Sequence, residues 1–161
     1  MKRPVAICLV LMLMLPTSMT VIAQDNSSLF ARVERTLKDK ESGWKLVNKR
    51  ISKNNKYVSY GWRSDKSFVS ILISVHASAD ETTRTYKGLP FDFEVVGLKM
   101  KALATVPNLG DENYLWKDSN HKRIFGIDFR KGNVVVHVSA PSIEIAKQFA
   151  LHIADAIPAT S

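Results

Sequence analysis

Phe68-Val69-Ser70-Ile71-Leu72-Ile73-Ser74-Val75-His76-Ala77-Ser78-Ala79-Asp80-Glu81 is the stretch that decides the fold. Val69, Ile71, Ile73 and Val75 alternate with Phe68, Ser70, Leu72, Ser74 and His76, so a strand over 68–77 has one apolar face and one mixed face. Its end runs through small residues into Ser78-Ala79-Asp80-Glu81, a capping-box pattern. There a serine oxygen and a glutamate carboxylate serve N–H groups at the start of a helix that have no partner within it. That helix is expected to end before Gly88.

Val136-His137-Val138-Ser139-Ala140-Pro141-Ser142-Ile143-Glu144 repeats the same passage from strand to helix cap. Each copy follows a hairpin whose first strand ends in an aromatic-arginine pair, Trp62-Arg63 and Phe129-Arg130. A duplicated unit accounts for the echo, and so does the reuse of one junction chemistry; both readings stay open. Outward from these two passages, Leu29, Phe30, Val33 and Leu37 at helical spacing predict a helix over 28–40 with Ser27 or Ser28 as N-cap, ending near Gly43. Residues 44–52 and 57–64 read as strands around a turn at Asn54-Asn55. The segment 91–106 fits both periods, and strand is preferred. Strands follow over 114–117, 122–130 and 134–139, the last two joined at Lys131-Gly132-Asn133. Ile143, Ala146, Ala150, Ile153 and Ile157 form one stripe of a closing helix that Pro158 stops. This order predicts an α+β domain, an antiparallel sheet with packed helices.

Gly110-Asp111-Glu112-Asn113-Tyr114, the run Phe129-Arg130-Lys131-Gly132-Asn133-Val134-Val135-Val136 and the alanine-rich last helix together resemble small exported bacterial domains. The arrangement is also similar to the PsbP/Mog1-like sandwiches. That resemblance covers roughly residues 40–157 and implies an α/β/α architecture, in a fold that hosts many functions, several of them non-enzymatic.

The N-terminus reads as a cleavable secretory signal over residues 1–23. Lys2 and Arg3 form the cationic start, and an apolar run from Val5 to Leu15 is too short to span a bilayer. Pro16 breaks it, and Val21-Ile22-Ala23 offers a cleavage site, leaving residues 24–161 as a single globular domain with no transmembrane segment. Export places this domain in the periplasm or outside the cell. Cys8, the only cysteine, leaves with the signal, so the mature domain stands on its apolar core without a disulfide.

Loss of Lys2 and Arg3 takes the net charge from +8 to +6. Acids and bases balance over 24–43 and over 67–161. The excess sits in 44–66, where Asp65 alone faces seven cations, with Trp44, Tyr57, Tyr60 and Trp62 interleaved. Lys45, Lys49, Arg50, Lys53, Lys56, Tyr60, Trp62 and Arg63 are therefore the candidate binding residues, a basic patch on an aromatic hairpin. Cations attract an anionic partner and rings insert at an interface. The alternative is a solvated edge that blocks aggregation, with the rings in the core. Simple alternation puts Lys45 and Lys49 on one side of their strand and Arg50 on the other with Trp44 and Leu46.

No chemistry-bearing motif stands out. There is no GxSxG elbow, phosphate loop or mature-chain cysteine, so no catalytic residue is assigned and no cofactor is expected. No histidine pair has metal-ligand spacing; His76 and His137 are the candidates, able to meet near Asp80 or Glu144 if their strands are neighbours. Asp128 is expected to pair with an Arg or Lys. Asp111-Glu112 reads as turn chemistry rather than an acid/base pair. The expected function is a secreted or periplasmic non-enzymatic binding or accessory domain. Its partner would be an anionic envelope polymer, lipid head groups or an acidic protein; nucleic acid is not expected, for want of a binding motif. The alternatives are a metal-dependent or hydrolase-like enzyme using His76, His137 and nearby carboxylates, or a structural part of an envelope assembly.

Overall fold

Leu29, Phe30, Val33 and Leu37 line the buried face of helix α1 (Ser27–Lys40), as their spacing predicts. The computed structural model describes residues 26–95, 97, 99–121 and 123–158, so the signal sequence expected over 1–23 lies outside the described residues. The N-cap is Asn26 rather than Ser27 or Ser28. Its carbonyl accepts the Phe30 N–H at 3.1 Å, while its side-chain amide donates to the Asn55 carbonyl at 2.9 Å and ties the helix to the first hairpin.

Seven strands form one antiparallel sheet in the order β1-β2-β3-β7-β6-β5-β4. They are β1 (Lys45–Ile51), β2 (Tyr57–Arg63), β3 (Phe68–Val75), β4 (Met100–Ala104), β5 (Glu112–Asp118), β6 (Phe125–Lys131) and β7 (Val134–Ala140). The two strands of the echo, β3 and β7, are neighbours at the centre, with Leu72 opposite His137 and Ser74 opposite Val135. The chain is an α+β protein, as the element order predicts.

Helix α2 (Ala79–Val95) starts as its capping pattern requires. The Glu81 N–H donates to Ser78 Oγ at 3.2 Å, and the Glu81 carboxylate accepts the Ala77 N–H at 3.0 Å. It does not stop before Gly88 but continues through Gly88 and Pro90. Both residues oppose a helix interior. Burial of Tyr86 and Leu89 against Val135 and Tyr114 opposes that local preference, as tertiary packing commonly does. The segment 91–106 therefore divides into the end of α2, strand β4 and the first residues of the loop leading to β5; the alternation expected at Val96 and Leu98 lies outside the described residues.

Helix α3 (Ile143–Ala156) lies beside α1 on one face of the sheet, over β6 and β7. Buried Glu41 joins the two helices, accepting from Gln148 Nε2 at 2.9 Å and from His152 Nδ1 at 2.8 Å. Beneath them lies the main core: the apolar faces of β2, β3, β6 and β7, with Phe30, Val33, Phe149 and Ile153 from the helices. Phe149 meets Trp44 edge-on at 5.1 Å and Trp62 at 6.3 Å. Helix α2 packs on the opposite face, giving helices on both sides of the sheet. It covers only part of that face, and what it leaves open positions the site. Among the described residues no helix is long and apolar enough to cross a membrane.

Candidate functional site

The open part of the sheet carries a groove of about 650 Å³. Ser59, Ser70, Leu72, His137 and Ser139 lie along it, on β2, β3 and β7, and Phe68, Lys66, Arg123, Ile124 and Pro141 border it. Phe68 lies across Gly61, where a Cβ would come within 2.9 Å of its ring, so the glycine leaves room for the ring at the groove's edge.

Two cations of the 44–66 cluster, Lys45 and Arg50, share this face because of a strand irregularity. The register of β1 against β2 shifts between Leu46 and Asn48, the mark of a β-bulge at Val47. One added residue reverses the parity of the strand. Lys45 then pairs with Arg63 and Arg50 with Ser59, on the groove side, whereas Leu46 pairs with Trp62 and Lys49 with Tyr60, on the helix side. This corrects the grouping that simple alternation predicts. Lys49 is also engaged: it meets Glu34 at 2.6 Å and lies 5.9 Å from the centre of the Tyr60 ring. The hydrogen bonds from Lys38 and Lys49 hold the Glu34 carboxyl below its ordinary range.

Two candidate binding residues are core instead. Tyr60 is 2% exposed and Trp62 is 0% exposed, and the Tyr60 hydroxyl donates to the Phe30 carbonyl at 2.9 Å. Rings at these positions cannot insert into a partner; they follow the period of β2 toward α1 and α3. Lys45, Arg50, Lys53, Lys56 and Arg63 are exposed.

At the groove floor stands a hydrogen-bonded line that the sequence reading did not assemble. Asp128 on β6 and His137 on β7 are direct cross-strand partners. His137 Nδ1 lies 2.5 Å from Asp128 Oδ1, and its Nε2 lies 2.8 Å from Ser139 Oγ. Trp116 stacks on the imidazole, ring centres 5.3 Å apart and planes 18° apart. Gly126 makes room for that indole, since a Cβ there would fall 2.2 Å from it. Asp128 is 0% exposed, and Tyr114 is its cross-strand partner on the other side. Burial first, and then the Asp128 charge, push the Tyr114 phenol well up. The expected Arg or Lys partner of Asp128 is thus replaced by a histidine. The adjacent i, i+2 pair His137 and Ser139 was visible in the sequence; its carboxylate partner depends on the register of β6.

His76 and His137 do not meet. Antiparallel pairing sets His76 beside Asn133 and His137 beside Leu72, and their acidic partners are Glu81 and Asp128 rather than Asp80 or Glu144. Among the described residues no group of three metal-ligating side chains converges. Asp111 and Glu112 both pair with Arg130, at 3.2 and 3.0 Å. No family model matches the chain, and no curated protein or solved structure matches it either.

Proposed function

We propose that this is an exported binding domain that takes an anionic lipid of the envelope on its open sheet face. The observation that carries this reading is the bulge at Val47, which sets Lys45 and Arg50 on the face that already carries Arg63 and the groove. Lys66 and Arg123 add charge at the rim. A polyanion alone needs no apolar groove, and an apolar ligand alone needs no cations; an acyl chain with a charged head group matches both. The secretory reading of residues 1–23 supports an envelope location for that lipid.

Sedimentation with vesicles tests it. The protein is expected to bind phosphatidylglycerol vesicles at low salt, to release them as salt screens the charges, and to ignore phosphatidylcholine vesicles. The triple variant Lys45→Glu, Arg50→Glu, Arg63→Glu should lose binding, while Lys53→Glu with Lys56→Glu, at the hairpin turn, should weaken it much less. Equal loss in both variants, or binding that salt leaves unchanged, refutes this reading.

A further inference from the structure

We infer that Ser139 is a reactive nucleophile, activated by His137 and positioned through Asp128, which accepts an acyl group from a carboxylic ester lying in the groove. A carboxylate accepts only, so Nδ1 of His137 carries the proton toward Asp128, and Nε2 keeps a lone pair for the Ser139 hydroxyl. A nucleophile within hydrogen-bond reach of a base, itself held by a third group, is the arrangement that activates serine. Access differs along the line in the required sense. Asp128 is sealed at 0% exposure, while Ser139 and the imidazole border the groove. Trp116 holds the plane of the imidazole from its face.

The same sheet face supplies a contrast. Ser74 Oγ lies 2.9 Å from His76 Nε2, and His76 Nδ1 lies 3.5 Å from Glu81, but Ser74 is only 5% exposed and none of the three borders the groove. Among the described residues this serine–histidine–carboxylate geometry is found at both places, but only the Ser139 line borders the groove.

The reaction balances without a further reagent. Ser139 Oγ bonds to the ester carbonyl carbon as its proton passes to His137 Nε2. The C–O bond to the alcohol then breaks, and His137 returns that proton to the leaving oxygen. Water repeats the sequence on the acyl-serine, freeing the carboxylic acid and restoring the hydroxyl. Ser139 pairs with both Ser70 and Gly126, so strand N–H groups around it serve the ladders. Arg123, which borders the same groove, is the cation available to the charge on the carbonyl oxygen. The substrate class, an ester with an apolar acyl chain and an anionic group, rests on the lipid reading above; the reactivity of Ser139 does not.

An alkyl fluorophosphonate tests the nucleophile directly, since Oγ replaces fluoride at phosphorus and the proton leaves through His137. Intact-mass and peptide analysis of the purified protein should show one adduct, on Ser139. Ser139→Ala should remove it, and His137→Gln should slow it roughly 100-fold, the scale of general-base assistance. Asp128→Asn, with its circular dichroism unchanged, should shift the pH profile of labelling, which a merely structural carboxylate would not do. No adduct on Ser139 of the parent protein, equal labelling of Ser74, or a rate that a folded His137→Gln leaves unchanged overturns the inference. Vesicle binding without labelling refutes the nucleophile alone, and labelling without vesicle binding refutes the lipid reading alone.

Discussion

Gly126 shows how one residue decides what stands on the groove floor. It pairs with Trp116 on one side and Ser139 on the other. A methyl there would meet the indole at 2.2 Å and the Val138 carbonyl at 2.3 Å. The carbonyl belongs to the central strand and cannot retreat, so Gly126→Ala is expected to destabilise the protein by about 3 kcal/mol, the upper end of the cost of overpacking. Urea denaturation measures it, and loss of the Trp116–His137 stack should accompany it as a change in tryptophan fluorescence. Nothing in the local sequence Phe125-Gly126-Ile127 announces this role, because the atoms that exclude a side chain come from β5 and β7. Asp128 is similar. As a carboxylate between two apolar residues it was recognisable as unusual, but its histidine partner lies nine positions away and appears only once the hairpin register is known.

At the scale of the element, the strands and the outer helices were legible because each carries its own period. The third strand, the Lys131-Gly132-Asn133 hairpin and the stripe of α3 all formed where their patterns put them. The bulge in β1 was not legible. It is a one-residue irregularity set by pairing with β2, and it reverses which cations face the groove. Helix α2 exceeds its predicted end for a related reason: packing of Tyr86 and Leu89 outweighs the local breakers Gly88 and Pro90. Helix α3 ends on a partner from another strand. Lys131 Nζ donates to the Ala154 and Ile157 carbonyls, both at 2.7 Å, satisfying acceptors at the negative end of the helix. Lys131→Met keeps the stem and removes the charge, so it should cost about 1 kcal/mol. Thermal denaturation reads that loss, and amide exchange should quicken in the last turn of α3 while the sheet stays protected.

For the whole molecule, acid stability follows from its carboxylates. Burial pushes the Asp118 carboxyl up, but N–H bonds from Asn120 and Lys99, both at 3.0 Å, and the contact with His121 outweigh it and leave the group below its ordinary value. Glu34 is lowered by its two lysines, and Glu81 by the Ala77 N–H. A folded-state value below the unfolded one means that folding favours the ionised form. The resulting stability is complete above the unfolded carboxylate range and is lost as pH falls through the lower folded values. The denaturation midpoint should therefore hold from neutrality to about pH 5 and decline below that. Asp118→Asn should be less stable than the parent near neutral pH, with the gap narrowing in acid; a gap that widens there contradicts the assignment. Asp118 bridges the β5–β6 connection to the chain entering β4, so the effect belongs to tertiary closure rather than to either strand.

What the sequence by itself determined is whatever depends on neighbours a few positions apart: the periods of strand and helix, the caps and turns, the α+β class and the concentration of charge in 44–66. Only the tertiary structure decided which of those cations face outward together, that Tyr60 and Trp62 belong to the core, and that Asp128, His137 and Ser139 form one line beside an open groove. The reason is physical. A side chain's facing follows from register and bulges, and its partners follow from strand order, and both are settled by pairing between segments far apart in the chain.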